Sequence, residues 1–542
     1  MMDFITKKNL TDLDMGFVLD RLSLVSPYGE RHRRSLKPFK SEAAEALDRE
    51  YDKLEAMIAL FEQRRADVLR IKEELKRIKL LDGSFERILQ DDVLTETELF
   101  EIKQIARTML TILELQNLLQ WQNRIGEHQL KSVALILELL DPENSGTQAF
   151  HLYSAYSDVL CEIRAQIERA DVEMKRYKMK QIEALADEGY PVQPNGDIRI
   201  KSFETDLLDR AKNDERLCYK SELPLYKLYT VKPSQNLTQL KESLLLKEEQ
   251  EEYEVRSQLT KALKENLETL TSNTDAISWI DLLIAKAQFS IAFRCVRPVL
   301  LNTEEVVMKG ARHIKVAIGL EKQGKTFTPI DVSLKNSVTL ITGANMGGKT
   351  ISLKLIGLMI SMAQYGFFVP CDFLSFKPFD YIFISVGDFQ SIDMGLSTFG
   401  GEIVEIEQAI KRSNEYGLIL IDELARGTNP LEGYAISKAL IEYLTQYRSK
   451  AVITTHFDGL TEVMHTTHYQ VKGLSDIDLS IVRERLNQHG VGLLHEYMDY
   501  RLVEVSQTKE IPKEAIRISE LMGLNKEILD RAKEILGGSN DE

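Results

Sequence analysis

Apolar residues over the first 300 positions recur every three or four places, the spacing that lines one face of an α-helix. Between Ser41 and Leu81 they are Leu47, Tyr51, Leu54, Ile58 and Phe61, then Val68, Ile71, Leu75 and Ile78. A second stripe runs through Leu160, Ile163, Ile167, Ala170 and Met174, and a third through Leu259, Leu263, Leu267 and Leu270. Each reads as a packed core or coiled-coil seam. From about Pro191 to Pro233 turn chemistry takes over: Pro191, Pro194 and Asn195-Gly196-Asp197 come before a short extended candidate, Leu225 to Val231. The pattern predicts two long antiparallel helices carrying a small mixed tip.

From about Val306 the period changes. Val338 to Thr342, Ile382 to Val386, Leu418 to Ile421 and Ala451 to Thr455 are short, mostly apolar runs. Such runs are expected of strands buried on both faces of a largely parallel sheet. Helical patterns between them predict an α/β layer. The stretch Ile511 to Leu536 reads as a helix pair broken at Gly523.

Composition narrows the classes. A chain of 542 residues has room for three or four domains, at roughly 100–200 residues each. With 43% apolar and 28% charged residues it is neither disordered nor fibrous. The 84 acidic residues outnumber the 69 basic ones, giving a formal charge of −15, which argues against a globally basic nucleic-acid binder. Cys161, Cys218, Cys295 and Cys371 have no metal-ligand spacing, so buried thiols in a reducing compartment are expected. The first residues lack a signal-peptide run, and the greasiest stretch, Leu355 to Ala363, is about half a membrane span. A cytoplasmic protein with no membrane partner is expected.

The chemistry concentrates after the first of these strands. Gly343-Ala344-Asn345-Met346-Gly347-Gly348-Lys349-Thr350 lies between Val338–Thr342 and a helical pattern. Glycines there let backbone N–H groups converge on phosphates, and the helix N-terminus adds its positive end. Lys349 is expected to reach the β- and γ-phosphates, and Thr350 to ligate Mg²⁺. Leu418 to Ile421 ends in Asp422-Glu423, placing Asp422 at the metal and Glu423 where it polarises the attacking water. Ala451 to Thr455 ends in His456, a candidate γ-phosphate sensor. Ser397-Thr398-Phe399-Gly400-Gly401-Glu402 precedes a helical pattern from Ile403 to Lys411, suiting a phosphate presented from outside. The turn-rich Ala425 to Gly433 suggests a subunit contact near the nucleotide.

In this order, Gly-x-Asn-Met-Gly-Gly-Lys-Thr, Ser-Thr-Phe-x-x-Glu, Asp-Glu-Leu-x-x-Gly-Thr-x-Pro-x-Glu-Gly and Thr-Thr-His resemble the ATPase domain of the MutS family, one of the ABC-type ATPases. Asp388-Phe389-Gln390-Ser391-Ile392 is most similar to the bacterial branch without mismatch recognition. The resemblance implies an α/β ABC-type P-loop ATPase domain, preceded by a long all-α core and lever with a small mixed clamp tip. It implies a helical core over 1–150, lever helices and clamp over 151–300, the ATPase domain over 301–510, and C-terminal helices and tail over 511–542. ATP and Mg²⁺ are the implied cofactors. Gly343, Asn345, Gly347, Gly348, Lys349, Thr350, Ile351 and Gln390 are the implied nucleotide contacts, with Phe327 packing near adenine. Ser397 is implied to act across a homodimer, completing the partner's site.

The departures are Ala344 in place of the family's usual proline and the expected lack of mismatch-reading, connector and small nuclease domains. Residues 200–230 hold six cations (Lys201, Arg210, Lys212, Arg216, Lys220, Lys227) against six anions (Glu204, Asp206, Asp209, Asp214, Glu215, Glu222). A tip that neutralises phosphates normally has excess Lys and Arg. Two functions follow. The first is an ATPase that moves clamps on DNA, mismatch-repair-like or binding other DNA structures. The alternative is a protein-remodelling ATPase resembling the reactivases of adenosylcobalamin-dependent aminomutases, with a protein client and little DNA binding. A transporter's ATPase subunit does not resemble a chain with so long a helical region ahead of the phosphate loop.

Overall fold

The stripe between Ser41 and Leu81 forms the helix Ala44–Leu75, interrupted at Arg64 (φ −138°, ψ 40°). Its buried seam is Leu47, Tyr51, Leu54, Met57, Leu60 and Phe61, resuming with Val68, Ile71 and Leu75 beyond the break. Ile58 is only half-buried. Strict alternation of threes and fours assigned it to the seam, but Met57 carries that turn. In this computed structural model the described residues are 4–143, 152–343, 348–386, 398–425, 428–457, 459–473, 499–505, 516, 519–520 and 523–538. The chain forms two compact units, one from 1–76, 115–129 and 276–542, the other from 77–114 and 130–275.

In the second unit the helices Asp158–Asp187 and Gln235–Glu265 lie side by side. Arg164 pairs with Glu248 at 2.8 Å and Glu252 at 2.7 Å, Lys241 with Asp171 at 2.5 Å, and Ser157 donates to Glu251 at 2.6 Å. Numbers rise along one helix as they fall along the other, so the pair is antiparallel. The chain between them folds as a three-stranded antiparallel sheet, Tyr226–Val231 running between Ile198–Lys201 and Leu217–Leu223, with the helix Thr205–Asn213. Leu185, Tyr190, Ile198, Ile200, Ala211, Leu217, Tyr229 and Val231 form its core. Only one of these strands was legible as an extended run. Leu217–Leu223 is mostly solvated, and Cys-Tyr-Lys-Ser-Glu carries no apolar alternation. Four of the tip's cations are already paired: Lys201 with Glu204, Arg216 with Glu188 and Asp214, Lys220 with Asp197, and Lys227 with Glu222.

Among the described residues the first unit holds two sheets. Six strands lie in the order Asp499–Glu504, Thr466–Gly473, Val338–Thr342, Lys450–Thr454, Gly417–Ile421 and Tyr381–Ser385. All pairings are parallel except that of Asp499–Glu504. The central strands are buried along their whole length, which their unbroken apolar runs require. The helices Lys349–Gln364, Thr398–Ile410 and Pro430–Leu444 belong to this layer. At the outer edge the Phe4 carbonyl accepts from the Ile382 amide at 2.9 Å, and Asn9 Nδ2 donates to the Ile384 carbonyl at 2.8 Å. A smaller, mostly antiparallel sheet of Val299–Leu300, Phe373–Phe376, Val306–Ala311 and Ile330–Leu334 was not foreseen. Its strands are short and come from both sides of the phosphate-loop region in sequence.

Of the four cysteines only Cys371 is fully buried; Cys161 is exposed on its helix, against the expectation of buried thiols. Gly523 is left-handed (φ +83°) and a helix follows at Lys526–Gly538, while 511–515 lie outside the described residues. Among the described residues no helix is long and apolar enough to cross a membrane.

One buried carboxylate, Asp281 on the helix Leu267–Ala292, holds the start of the helix Pro27–Arg34. Asp281 accepts from the Ser26 amide and hydroxyl, both at 2.7 Å, and from the Val25 amide at 3.1 Å. The same Ser26 hydroxyl caps the helix Pro27–Arg34. Asp281→Ala strands these donors, at a cost of about 2–3 kcal/mol. Urea unfolding is expected to show a lowered midpoint with an unchanged slope. A midpoint equal to the parent's would mean that water satisfies the donors instead.

Candidate functional site

Parallel strands end on the same edge of their sheet, and here the residues with chemistry follow those ends. The strand Val338–Thr342 runs into Gly343, whose φ of +125° suits only glycine. Gly348, left-handed at φ +87°, caps the helix Lys349–Gln364. Lys349, the first helical residue, is 3% exposed. Its Nζ donates to the Gly343 carbonyl at 2.7 Å and lies 3.3 Å from Glu423 Oε1.

Thr350, next on the helix, donates its hydroxyl to Asp422 Oδ2 at 2.7 Å. Thr454 donates to Asp422 Oδ1 at 2.6 Å, so the carboxylate sits between two hydroxyls. The register explains this: Ile421 is paired with Ile453, which sets Asp422 beside Thr454. The Glu423 amide donates to Thr454 twice, to the hydroxyl at 2.9 Å and the carbonyl at 3.2 Å. Three elements thus place an ammonium, two hydroxyls and two carboxylates together.

The turn after Gly417–Ile421 is unusual. Glu423 (φ +49°) and Ala425 (φ +62°) are both left-handed without being glycine, a conformation costing about 1–2 kcal/mol per residue. Leu424 and Ala425 are buried. The Ala425 amide donates to Glu402 Oε1 at 3.4 Å. Glu402 is 5% exposed on the helix Thr398–Ile410. Burial pushes its carboxyl up to about 7; the Ala425 amide opposes this and Glu405 adds to it.

The structure thus joins Lys349, Thr350, Asp422 and Glu423 in one hydrogen-bonded cluster. His456 is exposed and stacks on Phe457 with ring centres 4.5 Å apart, apart from that cluster among the described residues. Ile351 is partly exposed in the first turn of its helix. Phe327 is half-buried just ahead of the strand Ile330–Leu334. Asn345, Gly347, Gln390 and Ser397 lie outside the described residues.

Sequence reasoning missed several neighbours. Thr454 stands in the Thr-Thr-His motif and is the last residue of its strand; a hydroxyl at the end of an apolar run ahead of the histidine was the available signal. Glu402 closes the Ser-Thr-Phe-Gly-Gly-Glu motif, and nothing within that motif signals its contact with Ala425. Tyr500 has its ring against Gly348, so close that a Cβ there would lie 3.3 Å from Cδ1. Thr342 Oγ1 and His468 Nε2, both buried, are 2.7 Å apart beneath the loop. Nothing local in the sequence marks either of these last two.

The oxygen chemistry fits a small hard cation. Thr350 and Asp422 offer a hydroxyl and a carboxylate side by side, and Mg²⁺ is commonly held by one or two protein oxygens, with phosphate and water completing the shell.

Residues 339–538 match the model of MutS domain V. Over 298 residues, 54% of this chain, the sequence is 33% identical to the Endonuclease MutS2 of Caldanaerobacter subterraneus subsp. tengcongensis and covers 35% of it. It is 30% identical over 301 residues to the DNA mismatch repair protein MutS of Halalkalibacterium halodurans, covering 55% of this chain and 33% of that protein. Similarity to the DNA mismatch repair protein MutS of the Caldanaerobacter strain extends over 96% of this chain and 58% of that protein, at 27% identity. The chain therefore spans about a third of the endonuclease relative's length (35%).

Proposed function

We propose that this chain, whose residues 339–538 match MutS domain V and which is similar to MutS and MutS2 proteins, is a dimeric MutS-family ATPase that couples ATP turnover to clamp movement on DNA. The observation that carries the reading is the hydrogen-bonded and ion-paired cluster of Lys349, Thr350, Asp422 and Glu423 after the strand ends. Relatives named as endonucleases and mismatch-repair proteins support DNA as the client. They lend no support to an aminomutase reactivase.

In this reading Gly343, Asn345, Gly347 and Gly348 present amides to the phosphates, and Lys349 places its charge between the β and γ groups. Thr350 and Asp422 hold Mg²⁺, which when bound neutralises charge developing on the phosphates. Glu423 accepts the proton of the attacking water, and Thr454 fixes the backbone from which Glu423 projects. His456 senses the γ-phosphate from the neighbouring strand end. Phe327 and Ile351 border the nucleoside side, with Gln390 near the phosphates. Ser397 reaches the partner's nucleotide. The helical core over 1–150 and the lever and clamp over 151–300 transmit the change to DNA.

The test is ATP hydrolysis over a range of protein concentration, combined with titration of paired and mispaired duplexes against salt. Magnesium-dependent hydrolysis is expected, with specific activity rising as dimers form. The tip's paired cations leave few charges for phosphates. DNA binding is therefore expected no tighter than roughly micromolar at physiological salt, with little preference for a mismatch. Protein that is folded yet hydrolyses no ATP at any concentration would overturn the ATPase reading. Failure of DNA to bind even at low salt would overturn the choice of client.

A further inference from the structure

The turn Glu423-Leu424-Ala425 has two left-handed residues with side chains, and such conformations persist only where the surroundings hold them. One end is held by Thr454, which accepts the Glu423 amide with both its hydroxyl and its carbonyl. The other end reaches a side chain: the Ala425 amide points to Glu402 Oε1. Glu402 comes from a different element, the helix Thr398–Ile410, and its side chain is almost entirely enclosed. An enclosed carboxyl is costly unless it accepts hydrogen bonds. Space-filling alone would favour an apolar residue there, as at the neighbouring Ile406 and Ala409.

We propose that Glu402 is a positioning residue: by accepting the Ala425 amide it fixes the left-handed turn that aims the Glu423 carboxylate. This rests on Glu423 being the carboxylate that polarises water. Without the Glu402 acceptor, Ala425 loses its hold and relaxes toward an ordinary backbone conformation. Glu423, two residues away, then samples directions that do not face the γ-phosphate. Nucleotide binding is largely spared, because Lys349, Thr350 and the glycines are on other segments. The expected signature is a fall in kcat with little change in KM.

Four variants of the full chain, assayed for steady-state ATP hydrolysis and for ATP affinity by equilibrium titration, decide the matter. Glu402→Met removes the acceptor at similar length and should lower kcat about tenfold, the usual scale for losing one positioned hydrogen bond. Glu402→Asp keeps a carboxyl but withdraws it by one methylene, and should share that loss, so it decides the question if the Met variant does not fold. Glu402→Gln retains an acceptor oxygen and should stay within about threefold of the parent. The discriminating variant is Glu402→Met combined with Ala425→Gly. Glycine takes φ near +62° without penalty, so the second change should restore most of kcat.

Parental kcat in both the Met and Asp variants would overturn the proposal. So would an equal loss in the Gln variant, or a Met-variant loss that Ala425→Gly fails to relieve, since a buried side chain that merely packs has no reason to respond to glycine at 425. A parent that hydrolyses no ATP defeats the ATPase reading instead, and the two failures are told apart by the parent's own rate.

Discussion

Lys349→Ala is expected to reduce kcat/KM for ATP by roughly a thousandfold or more, the scale of removing a positioned charge from a phosphoryl-transfer site. Two losses combine. The ammonium that neutralises charge on the β- and γ-phosphates is gone, so affinity falls as well as rate. Glu423 also loses the ammonium 3.3 Å from its Oε1. Titration with a fluorescent ATP analogue and steady-state hydrolysis measure the two parts separately, with circular dichroism to confirm folding. Parental affinity in a folded Lys349→Ala protein would remove Lys349 from the phosphate site.

Glu423→Gln should behave differently. The backbone amide still donates to Thr454, so the turn and the position of the side chain are kept. The amide oxygen can still accept from Lys349. Only the capacity to take a proton is lost, and general-base contributions of this kind amount to about 10²–10⁴ in rate. ATP affinity is therefore expected within a few-fold of the parent while hydrolysis falls by roughly a hundredfold or more. Single-turnover measurements check that the chemical step itself has slowed. Hydrolysis at the parental rate would strip Glu423 of its assigned role, and a large loss of affinity would make it a binding residue.

The contrast between these variants shows which parts of the molecule were readable from the chain. Strands buried on both faces announce themselves as unbroken apolar runs, so Val338–Thr342 was located to the residue, and Gly417–Ile421 and Lys450–Thr454 within one. Lys349, Thr350, Asp422 and Glu423 were singled out because each directly follows a strand or begins a helix, where short motifs fix geometry. What escaped depends on pairings between distant segments. Glu402 reaches Ala425 across 23 positions, and Thr342 meets His468 across 126. Thr454 became recognisable only once its strand was known to lie beside Gly417–Ile421. Tyr500 needed the antiparallel return strand Asp499–Glu504, which no apolar run announces. Helical phase drifted in a similar way: steps of three and four place a stripe correctly for two turns, then err by one residue, as at Ile58.

The hydrogen bonds from Phe4 and Asn9 to the outermost strand of the six-stranded sheet have a practical meaning. Among the described residues Tyr381–Ser385 is the outermost strand on its side of the sheet, and such an edge leaves a row of main-chain donors and acceptors able to recruit another chain. The segment from Phe4 to Asn9 occupies part of that row, and Asn9 does so with a buried side-chain amide, which no β-strand pairing can mimic. Covering an edge in this way leaves fewer main-chain groups for a second chain to pair with. Trimming these residues, or fusing a bulky tag directly ahead of them, is therefore expected to raise self-association measured by light scattering, even though Lys349, Thr350, Asp422 and Glu423 stay in place.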